Sequence, residues 1–195
     1  RRKQILDATR ATLLEKGFEG TTIEAIANLS ELSVGSIYVY FTSKEDIFAA
    51  LQEEGILILH DMINEAISST STAEKRLLSI AHIYFEFRQN KSKYFDIMNH
   101  FLTSPKVIFP DHLKKRIDDL GNRILGELEK VIIQGIRNNE IQHRNSRECA
   151  IAFWALLHGI LQFEKLRTTM LGIKNFKQTY LHAAQFFVNS LKKSP

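Results

Sequence analysis

Apolar residues recur at helical spacing along almost the whole chain and nowhere keep the two-residue alternation of a strand. The spacing predicts a first helix over Lys3–Lys16, with Ile5, Leu6, Leu13 and Leu14 as its apolar positions and Gly17 as its stop. Phe18 then folds back as an apolar plug. Ile23, Ile26 and Ala27 give a short second helix one buried face, and Thr21 or Thr22 can cap it by accepting an orphan first-turn N–H. Ser33 can cap a third short helix, in which Ile37 and Phe41 lie one turn apart and point inward. Ser43-Lys44-Glu45-Asp46 matches a capping box with Asp46 in the usual glutamate place. It opens a long helix to about Ser68, whose predicted inner stripe is Ile47, Leu51, Ile58 and Met62.

Ser68-Ser69-Thr70-Ser71-Thr72 is a polar loop. Leu77, Ile80, Ala81, Tyr84 and Phe85 then fill the amphipathic template without a gap, and Tyr94, Ile97, Met98, Phe101 and Leu102 repeat it. Pro105 and Pro110 break the chain. From Asp111 a long helix carries Leu113, Ile117, Leu120, Ile124, Leu128, Val131 and Gly135 on one face and ends at Asn138-Asn139. Ser146 is a cap for the next helix. Cys149 to Leu166 is apolar nearly all round, so it must be covered on more than one side, by the core and most simply by a partner subunit. The last helix, from about Asn175 to Lys192, has Phe176, Tyr180, Ala184, Phe187 and Leu191 as its stripe, with Phe186 beside it. The predicted fold class is all-α.

Composition adds bounds rather than a function. With 195 residues, 44% of them hydrophobic, the chain can bury a real core as one or two domains. The single cysteine, Cys149, excludes an internal disulfide framework and fits a reducing cytoplasm. Uninterrupted apolar runs fall short of the ~18 residues of a membrane span, so no membrane association is expected, and no signal peptide is expected ahead of the first helix. The net charge of +4 sits away from the front: residues 1–47 carry six bases against seven acids. Any argument for DNA therefore rests on where the bases lie, at Arg1-Arg2-Lys3 and at Lys44 in the mouth of a helix.

The third short helix carries that argument. Between Leu32 and Ser43 there is no acid, and Ser33, Gly35, Ser36, Tyr38 and Tyr40 leave a hydroxyl-rich surface where a merely soluble face would show Lys and Glu. Such a surface suits contact with a polyanion. The ordered set EKGFEGTTIEAIA, LSVGSIYVYF and SKEDIF resembles the helix-turn-helix of the TetR family of bacterial transcriptional repressors, over roughly the first quarter of the chain. The family usually has Ala-Gly across the turn where this chain has Ser30-Glu31, and a non-glycine residue pays for a left-handed backbone.

The resemblance implies a three-helix DNA-binding domain at 1–47 and a larger helical effector-binding and dimerisation domain at 48–195. In a helix-turn-helix the second helix enters the major groove, which places Ser33, Val34, Gly35 and Ser36 at base edges with Tyr38 one turn on. By resemblance Thr22, Tyr38, Tyr40 and Lys44 bind phosphates, Lys44 helped by the dipole of its own helix. One unit reads few base pairs, so a homodimer on a near-palindromic double-stranded operator is expected, with recognition helices ~34–36 Å apart. The last two helices then pair across the two-fold axis, and Leu157, Leu161, Phe187 and Leu191 are the candidate interface. The aromatic-rich middle is expected to hold a small apolar or aromatic effector, lined by Tyr84, Phe87, Phe101 and Trp154 with His100, Gln134 and His158 as polar groups.

Two other classes of protein compete with a regulator. An enzyme is disfavoured: the seven histidines form no His-x-x-x-His, no glycine-rich phosphate loop or nucleophile elbow occurs, and Cys149 reads as an inert buried thiol. No metal and no cofactor is expected. The second rival is a helical protein-interaction module with a degenerate DNA motif, prompted by the acidic balance of residues 1–47 and by Ser30-Glu31. Steep salt dependence of DNA binding separates the two.

Overall fold

The computed structural model describes residues 1–68, 71–103 and 109–193. Among them the chain forms α1 (Arg2–Gly20), α2 (Ile23–Leu29), α3 (Val34–Tyr40), α4 (Lys44–Ser68), α5 (Ala73–Asn90), α6 (Ser92–Thr103), α7 (Asp111–Arg137), α8 (Ser146–Gln162), a 3-10 turn (Phe163–Leu166) and α9 (Phe176–Leu191). The fold is all-α, as the periodicity requires. Pro105, Ser69 and Thr70, named above as loop residues, lie outside the described residues.

Packing divides the chain into one unit of Arg1–Leu57 with Ser92–Leu120 and a second of Ile58–Lys91 with Gly121–Pro195. The expected boundary at residue 47 falls within the first of these units. The start of α4 and all of α6 pack with the front helices, and Gly55 permits the approach: a Cβ there would lie 3.1 Å from the Met98 sulfur and 3.2 Å from Tyr94 Cβ.

In the first unit Ile5, Ala8, Ile23, Ile26, Ala27, Ile37, Phe41, Ile47 and Ala50 form one core, with Leu6 and Leu32 packed against it. The predicted α1 stripe needs one change. Leu14 is exposed, and Thr9 and Thr12 are buried instead, each hydroxyl donating back one turn, to Ile5 O and Ala8 O. Gly17 does break α1, at φ 69° and ψ −177°, a backbone only glycine takes without strain. Phe18 beyond it stacks on the His100 ring at 3.5 Å and meets Phe48 and Phe101 edge-on. In α4 the inward stripe is Ile47, Leu51, Ile56, Leu59 and Ile63, while Ile58 and Met62 are only half-buried. The 3.6-residue period had drifted by one position over three turns.

In the second unit α5, α8 and α9 pack on one another. Leu77, Ile80, Ala81, Tyr84 and Phe85 are all buried, as expected, and the Tyr180 hydroxyl donates to Ala81 O at 3.0 Å. Asn139, at φ 60°, closes α7 in a left-handed turn with Glu140 N–H returning to Gly135 O. Asn145 rather than Ser146 caps α8, accepting from the N–H groups of Arg147 and Glu148, while the Ser146 hydroxyl donates to Glu129. With its 3-10 extension, Ser146–Leu166 reaches a mean hydropathy of 1.2, making it the one segment among the described residues long and apolar enough to cross a membrane. Its Ala150, Phe153, Leu157 and Leu161 face is buried in this unit.

Candidate nucleic-acid interface

The front motif is built by caps. Thr22 Oγ1 accepts from Ala25 N–H at 3.1 Å and starts α2; Ser33 Oγ accepts from Ser36 N–H at 3.1 Å and starts α3. Between them Ser30 is buried and donates its hydroxyl to Ala27 O, and Leu32 N–H returns to Ala27 O at 3.0 Å. Glu31 takes up the chain reversal at φ 55°. The left-handed turn, which glycine would make without steric penalty, is made here with glutamate, at a backbone cost of ~1–2 kcal/mol.

α3 is seven residues long and only Ile37 anchors it inward, with Phe41 buried at its C-cap. At 100° per residue Gly35 and Val39 lie opposite Ile37, Val34 and Tyr38 flank them on one side and Ser36 on the other. Ser33, Val34, Gly35, Tyr38 and Tyr40 are exposed and Ser36 is half-buried. The Ser33 and Ser36 hydroxyls also meet each other at 2.8 Å. A side chain at Gly35 would find nothing nearer than Ser33 Oγ at 3.8 Å. The fold itself does not need a glycine there.

Lys44 opens α4 half-buried, its ammonium 5.6 Å from the centre of the Phe48 ring. Ser43 Oγ accepts from Asp46 N–H at 3.1 Å, but the Asp46 carboxylate returns to Thr42, not to the cap residue, which corrects the reciprocal half of the capping box. Two front bases serve the protein itself. The Arg10 guanidinium bonds Asp7 and Glu54, each at 3.1 Å, and covers the Tyr94 ring; Arg2 sits over the Phe41 ring at 4.3 Å. Burial, then the hydrogen bond to Glu54, push the Tyr94 phenol up to about 12. Sequence reading missed this cluster because its partners lie far apart in the chain.

The effector candidates fall into two separate groups. In the second unit the Tyr84 hydroxyl lies 2.7 Å from His158 Nδ1, Gln162 reaches His158 Nε2 at 3.1 Å, and Trp154 stands against the His158 ring. Burial raises the Tyr84 phenol and holds the His158 imidazole below its usual range. Phe87 is fully buried on α5. His100 and Phe101 belong to the first unit with Phe18, and burial lowers His100 as well. Gln134 is exposed and bonds Arg76, because its position on α7 is one step past the apolar stripe. Among the described residues no group of three or more His, Cys, Asp or Glu could hold a metal ion.

The interface candidates also need sorting. Leu157, Leu161 and Leu191 are buried within their own chain and Phe187 is half-buried against Phe153. The large apolar groups that α8, its extension and α9 leave open are Ile151, Phe163, Leu166 and Phe186.

Two short capped helices joined by a tight turn, the second free of acid and bearing hydroxyls, give the front of the chain the geometry of a helix-turn-helix. Residues 5–51 match the model of the bacterial regulatory proteins of the tetR family. It is 24% identical over 139 residues to the fatty acid metabolism regulator protein of Bacillus subtilis, covering 71% of this chain and 70% of that one. It is 24% identical over 109 residues to the transcriptional activator FasR of Mycolicibacterium smegmatis, covering 55% and 50%. In fold it is similar to the transcriptional regulator FadR from Bacillus subtilis in complex with stearoyl-CoA, at TM-score 0.82 and 19% identity over 98% of this chain and 100% of that one. Each of these relatives is named as a regulator.

Proposed function

We propose that the protein is a homodimeric repressor that binds a near-palindromic operator through α3 and is released by a small molecule with a long apolar chain. The observation that carries the DNA reading is the open face of α3. It is free of acid, carries exposed phenols, and holds a glycine that the protein's own packing does not require. Gly35 costs the helix ~1 kcal/mol against alanine, so its use points to something outside the chain that comes close to the backbone. Val34, Gly35 and Tyr38 face the base edges, and Thr22, Tyr40 and Lys44 hold phosphates on either side; Ser33 and Ser36 shape the start of the helix.

The dimer forms through Ile151, Phe163 and Phe186, apolar groups that α8, its 3-10 extension and α9 leave open, in place of the inward-facing Leu157, Leu161 and Leu191. The effector site is the aromatic interior of the second unit, where Tyr84 and His158 offer paired polar atoms among Phe87 and Trp154. An acyl thioester is the class we favour, because the stearoyl-CoA complex shares the fold. α4 is one unbroken helix that contributes to both units and carries the signal. A 100-fold loss of operator affinity requires about 2.7 kcal/mol of differential effector binding.

The experiment is selection of duplexes from a randomised library by the full chain, followed by titration with and without stearoyl-CoA. A symmetric consensus that the thioester releases supports the reading. Enrichment of nothing above background removes the DNA function; a consensus indifferent to the thioester removes the effector assignment alone.

A further inference from the structure

Val39 is the large apolar side chain that the protein leaves most open, at 79% exposed among the described residues. A β-branched apolar residue on the free face of a seven-residue helix lowers helix propensity and gains no packing in return. We propose that Val39 reads thymine methyl groups, so that the operator is selected chiefly by apolar contact in the major groove and not by bidentate hydrogen bonds. The inference rests on α3 being the helix that meets DNA.

The residues of α3 argue for it by what they include and what they omit. From Val34 to Tyr40 there is no Arg, Lys, Asn, Gln, Asp or Glu, which are the side chains that pair with the guanine, adenine and cytosine edges. The Ser36 hydroxyl is engaged with Ser33 at 2.8 Å. What the face opposite Ile37 presents is therefore a bare backbone at Gly35 and two methyl groups at Val39, with the Tyr38 phenol alongside. In the major groove only thymine offers a methyl, at C5. Gly35, one turn before Val39 and on the same face, carries no side chain that would hold the helix off the bases, and the space a Cβ would fill is open to within 3.8 Å of Ser33 Oγ. The helix can thus seat deeply enough for a side chain as short as valine to reach a base edge.

The test replaces thymine by uracil, one position at a time, in both half-sites of a duplex selected by the full chain. Uracil removes only the C5 methyl and keeps the pairing edge. Burial of one such carbon is worth ~0.8 kcal/mol, or about fourfold per half-site and about 15-fold for the pair. We expect one thymine in each half-site to show that loss with the native protein. Val39→Ala, which removes exposed atoms and leaves the core untouched, binds the thymine duplex more weakly and no longer distinguishes uracil at that position. If no thymine matters, or if the uracil effect persists in Val39→Ala, the inference is wrong while DNA binding stands. If no duplex is selected at all, the reading beneath it falls and takes this inference with it.

Discussion

Two places on this protein expose a large apolar side chain almost completely, and their surroundings differ. Val39, 79% exposed, stands on a short helix among a glycine, serines and tyrosines, held by one inward residue. Phe186, 74% exposed, stands on a sixteen-residue helix whose opposite face is buried along its length, and Ile151 and Phe163 are open on the neighbouring elements. An apolar group set among hydroxyls suits a partner that is mostly polar with isolated methyls. An apolar group on a long, well-anchored helix suits a partner that is itself an apolar helix. Exposure alone is the same in both; the neighbours decide what it is for.

The comparison breaks most visibly in the core of the second unit. Leu157→Ala opens a cavity at a side chain only 1% exposed, and thermal or urea unfolding should show a loss of ~2–5 kcal/mol. Phe186→Glu should leave the fold of each chain intact but separate the subunits. With ~2–4 kcal/mol for an aromatic anchor, sedimentation at micromolar concentration should show monomer, and operator binding should fall with it. If Phe186→Glu remains dimeric, the open face of α9 is not the interface.

Smaller effects sharpen the other side. Gly35→Ala should raise stability by up to ~1 kcal/mol through helix propensity and yet weaken operator binding, a pairing of opposite signs that a purely structural glycine would not give. Glu31→Gly should stabilise by ~1 kcal/mol because the left-handed turn is already in place. Acid should weaken the second unit gently. Burial holds His158 below its usual range, so the unfolded chain binds the proton more readily. Stability conferred by neutral His158 is complete above about pH 6.5 and declines as pH falls through the lowered folded value. His158→Gln should flatten that decline in a pH series of melting curves.

The elements were legible because they are local. Ser33 caps α3 as read and Thr22, one of the two candidates, caps α2; the α5 stripe is buried residue for residue, and α7 ends at Asn138-Asn139, with Asn139 making the turn. Phase and partner were not. Ile58 and Met62 gave way to Leu59 and Ile63 because a small error in register accumulates along α4. Leu157, Leu161 and Leu191 were assigned to a subunit contact because α8 is apolar all round, and composition cannot say which side of such a helix meets its own core. His100 was placed with the effector residues, whereas its ring stacks on Phe18, a contact between residues far apart in the chain. Val39 drew no notice between two tyrosines; only its exposure marks it.

The central claim is that α3 and the mouth of α4 meet a polyanion, and the dependence of operator affinity on salt tests it most directly. The account predicts that log K falls linearly with log salt concentration, with a slope of about −0.9 for each phosphate neutralised by a cation, and that Lys44→Ala makes the slope shallower by about that amount per half-site. An affinity that stays flat between low and moderate salt would contradict it.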